Sequence, residues 1–196
     1  TVIELEELMY MAKEKSKEIL LQKNPYIDPS DLDRVSDIVG IGAILYNDLS
    51  QSRIKNISFD WAKMLNMEGG SAVYLQYSYV RINSILRKLI EAYGDVDLKP
   101  LKEDIVFSSE TEYNLAKKLM FFPQIILEAQ QSDFPHYICT YLEELALMFN
   151  SFYGDVSILK TEDDKLRSSR AILVKDVALV IKKGLSLLGI RVPEKM

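Results

Sequence analysis

Two tyrosines and an arginine stand at helical spacing in the octapeptide YLQYSYVR, residues 74–81. At 100° per residue, Tyr74, Tyr77 and Arg81 fall within an arc of about 60°, beside a separate apolar stripe of Leu75, Tyr79, Ile82, Leu86 and Leu89. Flat aromatic faces and a planar cation are the groups that hold unpaired bases and nearby phosphates. Tyrosine also packs in cores with its hydroxyl at the edge, so spacing alone leaves both roles open. A second feature lies near the C-terminus. Arg167, Lys175 and Lys182 share an arc of about 80° on one predicted helix, while Leu166, Leu173, Val177, Val180 and Leu188 face another way. Such a row either touches phosphates or is an ordinary solvated face.

The charge of the chain is uneven. Its 196 residues sum to −5, but residues 165–196 carry eight basic and two acidic side chains, a balance of +6, which leaves −11 on the preceding 164. An acidic body argues against indiscriminate binding of nucleic acid, DNA included, whereas the basic quarter can seat an anion in one orientation. Catalysis needs placed titratable groups, and the chain offers one histidine, one cysteine, no G-x-S-x-G elbow and no phosphate-binding loop. His136 and Cys139, at H-x-x-C spacing, fall short of a zinc site. The carboxylates gather at predicted helix starts, where capping accounts for them. No catalytic residue and no metal ligand is therefore expected, and what remains is a binding surface. The single cysteine suits a reducing compartment, cytoplasm or organelle matrix. With no apolar run of about 18 residues and no basic stretch in TVIELEELMY, neither a membrane span nor a signal peptide is expected.

The elements that must position these residues read as helices throughout. Apolar positions recur at helical spacing, and no stretch alternates for long with paired turn signals, so an all-α chain is predicted. A first helix over about residues 3–22 stops before KNPYIDPS, where Pro25 and Pro29 forbid continuation. DPSDLDRVSDIVGIGAILYNDLS restarts it, with Asp28 or Ser30 as cap and Val35, Ile38, Val39, Gly42 and Leu45 as buried stripe. Gly40 and Gly42 lack the preceding strand and third glycine of a phosphate loop, which leaves close helix packing as their use. QSRIKNISF reads as an extended connection, DWAKMLNM as a helical turn or two, and EGGS as a loop into the helix of the tyrosines. Residues 94–108 form the best candidate for a linker. Three helical stretches follow: ETEYNLAKKLMFFPQIILEAQQ, cut or kinked at Pro123; PHYICTYLEELALMFNSFY; and EDDKLRSSRAILVKDVALVIKKGLSLLG.

The segment VGIGAILYNDLSQSRIKNISFDWAKMLNMEGGSAVYLQYSYVRINSILRK resembles arginyl-tRNA synthetase, a class I enzyme family, in the helices just beyond its catalytic domain. FPHYICTYLEELALMFNSFY, RSSRAILVKDVALVIKKGLSLLGI and the terminal PEKM resemble the DALR-type anticodon-binding domain of the same family. The related cysteinyl enzymes have a similar helical domain without this run of GAILYNDLS, YLQY and LLGI. The resemblance implies an all-α helical bundle, with residues 1–70 as helices following the catalytic domain, against the inner stem of the tRNA, and residues 71–196 as the anticodon-binding bundle. The family's H-x-G-H motif and KMS loop are absent here, so arginine activation with ATP and magnesium is expected in a part outside this chain, and no cofactor within it.

The same resemblance implies roles for single residues. Tyr74, Tyr77 and Arg81 match the family's tyrosine-x-x-tyrosine-x-x-x-arginine positions against the anticodon loop. Tyr153 resembles the aromatic position that meets loop bases, and Met196 matches a terminal methionine in the same pocket. Arg167, Lys175 and Lys182 are expected on the RNA backbone. EGGSAV replaces the family's E-G-N-T-G-P, which predicts a reshaped loop, and RAIL replaces R-L-A-L, a repacking of core. The expected partner is tRNA(Arg), bound by a monomer with no DNA or membrane partner; the competing reading is a helical protein–protein docking module without RNA specificity.

Overall fold

A computed structural model describes residues 3–57, 59–94 and 105–196. Among these, eight α-helices and no strand occur: α1 (Leu5–Lys23), α2 (Pro29–Leu49), α3 (Trp61–Met64), α4 (Ala72–Tyr93), α5 (Glu110–Met120), α6 (Phe122–Ser132), α7 (His136–Asp155) and α8 (Asp164–Leu187). The starts follow local chemistry. Asp28 accepts from the Ser30 N–H, Asp60 from Ala62, Ser71 from Tyr74 and Asp163 from Leu166, each satisfying a donor that the first turn leaves orphaned. Ser109 and Glu112 form a reciprocal capping box on α5. Pro123 cuts rather than kinks its stretch, because its ring fits the first turn of α6 and not the interior of a continued α5. Of the linker expected over 94–108, residues 95–104 lie outside the described residues; Gly94, at φ 77°, closes α4 in a conformation that favours glycine.

The helices enclose two cores. The larger gathers Leu75, Ile82 and Leu89 of α4, Leu142, Leu145 and Phe149 of α7, and Val174, Val177 and Ile181 of α8, with α5 and α6 packed against α7. The smaller holds Leu20, Val35, Val39, Ala43, Met64, Leu65 and Val73. Gly40 lets α1 and α2 meet at backbone distance, since a Cβ there would lie 2.8 Å from the Ala12 carbonyl carbon and the Lys13 nitrogen. Close packing is thus the use of this glycine. Between the cores, the buried Gln76 side chain donates to the Ile38 carbonyl (3.3 Å) and the Arg191 carbonyl (2.8 Å). That carboxamide ties the C-terminal tail to α2 and α4.

Helix α4 is covered by α2, α7 and α8, so burial extends well beyond the one apolar stripe read from its sequence. Tyr74, placed by spacing on a separate face, is only 5% exposed and belongs to the larger core. An amphipathic pattern reports one covered side, whereas a central helix is covered on several.

Candidate nucleic-acid interface

Arg81 and Tyr74, on α4, meet α7 at Asn150. The Asn150 Nδ2 donates to the Tyr74 hydroxyl oxygen at 2.7 Å, and the Arg81 Nη1 donates to the Asn150 Oδ1 at 3.1 Å. The Arg81 guanidinium carbon stands 4.7 Å from the centroid of the Tyr153 ring, within the range of a cation–π contact. Tyr153 in turn stacks on Phe149, one turn back along α7, with centroids 6.0 Å apart and planes 25° from parallel. Tyr77 lies on α4 between Tyr74 and Arg81 with its side chain 40% exposed. The result is a patch in which an exposed ring and a half-buried cation-on-ring stack are held by two long helices.

Tyr74 is set by two neighbours. Its backbone N–H is capped by the Ser71 Oγ at 3.1 Å, and its ring is buried. Burial pushes its phenol above the ordinary tyrosine value, the Asn150 hydrogen bond and Arg81 oppose this, and Glu143 adds to it. The same Glu143 carboxylate borders the loop in front of α4, where a Cβ on Gly70 (φ 67°) would lie 3.7 Å away. Ser71 supplies the capping hydroxyl of the EGGSAV loop, and its preceding glycine supplies the left-handed turn.

The remaining expected residues are spread out. Met196 is partly buried on the smaller core, whose members include Val73, while Tyr153 packs on the larger. Arg167, 8% exposed, is drawn into the fold: it donates to the Thr161 carbonyl at 2.7 Å, pairs with Asp164, and lies 3.8 Å over the Tyr93 ring. Lys175 and Lys182 are exposed, with the Lys182 ammonium 5.9 Å from the Tyr79 ring. The three cations share a helix face, but the chain before α8 and the end of α4 cover its first turn. Lys182 and Arg191 instead border one open hollow with Ser186 and Gly189, where Arg191 also meets Asp37 at 3.1 Å.

Asn150 was not among the residues singled out from sequence. Its signal was present: a polar residue of low helix propensity between Phe149 and Phe152, one turn before Tyr153.

Two family descriptions match the sequence. The DALR anticodon binding domain matches residues 75–196, and the catalytic domain of class I (R) tRNA synthetases matches residues 1–61. The arginine–tRNA ligase of Buchnera aphidicola subsp. Acyrthosiphon pisum (strain Tuc7) is 42% identical over 194 residues, 99% of this chain and 33% of that protein. That of Thermococcus kodakarensis is 40% identical over 194 residues, 98% of this chain and 30% of that protein. Among solved structures, Thermus thermophilus arginyl-tRNA synthetase superposes with a TM-score of 0.87 at 29% identity, over 100% of this chain and 32% of that one. The Plasmodium falciparum arginyl-tRNA synthetase gives 0.85 at 28%, over 100% and 34%. The chain spans about a third of the length of the curated relatives it matches.

Proposed function

We propose that this chain, which belongs to the DALR anticodon-binding domain family and matches arginyl-tRNA synthetases over nearly all its length, recognises the anticodon of tRNA(Arg) for an arginine–tRNA ligase. The supporting observation is the patch at the junction of α4 and α7, where exposed Tyr77 lies one helical turn before Arg81, whose guanidinium is laid on the Tyr153 ring. Unpaired bases stack on such surfaces, and a cation beside them meets the adjoining phosphates. Lys175 and Lys182 supply backbone contacts, and Met196, packed on the smaller core, is assigned to the base-binding side on the family resemblance. Residues 1–70 take the stem side of the RNA and residues 71–196 the anticodon.

Attachment of arginine with ATP is the chemistry of the parent enzyme, and we place ATP and its magnesium in the part of the relatives outside the matched third. Among the described residues no group of three or more His, Cys, Asp or Glu side chains stands together as a metal-binding cluster. The chain by itself is expected to show no arginine-dependent exchange of pyrophosphate into ATP. Its setting is the cytoplasm or an organelle matrix, as a monomer; among the described residues no helix is long and apolar enough to cross a membrane.

Titration with a tRNA(Arg) transcript, and with the same RNA changed at the middle anticodon cytosine, tests the reading across a range of salt. A preference for the unchanged RNA, with affinity falling steeply as salt rises, is expected. Equal affinity for both RNAs and no salt dependence would assign the fold to protein docking.

A further inference from the structure

The donor and acceptor chemistry at Asn150 admits one arrangement. A guanidinium has only donors, so the carboxamide edge facing Arg81 must be the Oδ1, 3.1 Å from Nη1. The Nδ2 then points the other way and must find an acceptor, which is the Tyr74 hydroxyl oxygen at 2.7 Å. Tyr74 is immobilised by burial, 5% exposed in the larger core. A chain of contacts thus runs from the rigid core through Tyr74 and Asn150 to Arg81, and from Arg81 onto Tyr153. Arginine carries large rotamer freedom when unrestrained. Held at its edge by Asn150 and at its face by Tyr153, the guanidinium loses that freedom before any ligand arrives, and a preformed site avoids the ordering cost on binding.

We propose that Asn150 is the positioning residue of the base-binding patch, and that Tyr74 acts through it as a buried support rather than as a stacking platform. This rests on the anticodon reading above. Asn150 does not face the base; it fixes the orientation in which the Arg81–Tyr153 stack is presented. Leucine at this position would be a better helix former on α7, so local stability does not call for asparagine.

The test uses the full 196-residue chain with Asn150→Leu, Arg81→Ala and the double variant, titrated with the tRNA(Arg) transcript and with the same RNA altered at the middle anticodon cytosine. Thermal melting is run on each. Asn150→Leu should melt close to the parent chain, yet lose affinity for the unaltered RNA about tenfold, the effect of one hydrogen bond to a charged group. Its preference between the RNAs should shrink as far as in Arg81→Ala, and the double variant should bind no more weakly than Arg81→Ala alone, because both changes remove one device. A wild-type preference in Asn150→Leu, or losses that multiply in the double variant, overturns the proposal. If the unmutated chain shows no preference, the anticodon reading fails and the positioning role falls with it. Should Asn150→Leu melt far lower, Tyr74→Phe is read instead, since it removes only the acceptor; an unchanged preference there overturns the relay.

Discussion

Replacing Tyr74 separates a core residue from a reader of RNA. The ring is 5% exposed among the residues of the larger core, so truncation to Ala removes a buried aromatic, a change worth about 3–5 kcal/mol. The hydroxyl contributes one hydrogen bond, from the Asn150 Nδ2, worth about 1 kcal/mol net. Because Asn150 is only half-buried, solvent reaches its Nδ2 once the hydroxyl is gone, so the lost bond adds no full desolvation cost although the fixed support is removed. Tyr74→Phe should therefore cost about 1 kcal/mol and Tyr74→Ala about 4 kcal/mol. In a chain of this length, one kcal/mol moves the melting midpoint by about 2–4 °C, so the expected drops are about 3 °C for Phe and about 12 °C for Ala. Urea denaturation followed by circular dichroism checks the same difference, as a shift of midpoint at unchanged slope. Tyr77→Ala is the contrast. That side chain is 40% exposed, so its melt should stay within about 0.5 kcal/mol of the parent, while RNA binding loses about 1–3 kcal/mol as a stacking surface disappears. A Tyr74→Ala variant melting like the parent while binding tRNA at least tenfold more weakly would refute the burial on which this reasoning depends.

Three further outcomes are expected. Glu112, whose side chain is 1% exposed, takes the Arg170 Nε at 2.7 Å and the Ser108 N–H at 2.5 Å; burial pushes its carboxyl up, but these partners bring it below its ordinary value of 4.5. Its stabilisation is complete above about 4.5 and is lost as pH falls through the lower folded value, so Glu112→Gln should cost about 3 kcal/mol in urea melts at neutral pH and show a shallower acid loss than the parent. Gly40→Ala should lower stability by about 1–3 kcal/mol in the same assay, because the added methyl meets the Ala12 and Lys13 backbone at 2.8 Å. Lys175→Ala and Lys182→Ala should keep the melting midpoint and each flatten the salt dependence of tRNA binding by about one unit of slope, whereas Arg167→Ala, which removes the contacts to Thr161 and Tyr93, should lower the midpoint.

Several features follow from local chemistry and were legible in the sequence. The helix restart at Asp28 or Ser30 and a break at Pro123 depend on hydrogen bonds and ring constraints within a few residues, so residue types at fixed offsets point to them. The structure settles on Asp28 as cap and on a cut at Pro123, with the same local chemistry at Ser71 and Asp163. The family could be recognised because blocks such as GAILYNDLS and LLGI occur in order along the chain. Tertiary structure alone decided what each helix face meets. The period of α4 marks Leu75, Ile82 and Leu89 as covered, but it cannot show that α7 also covers Tyr74, since that depends on a partner 76 residues away in sequence. The stripe of Arg167, Lys175 and Lys182 is real in angle, yet Tyr93 and Thr161 close over its first member, while its other two members remain exposed. Asn150 shows the same division. Its place on α7 is a matter of helical period, but its two hydrogen bonds exist only because α4 and α7 pack with Tyr74 and Arg81 on opposite sides of one carboxamide. Periodicity is a property of one helix, and contact is a property of two.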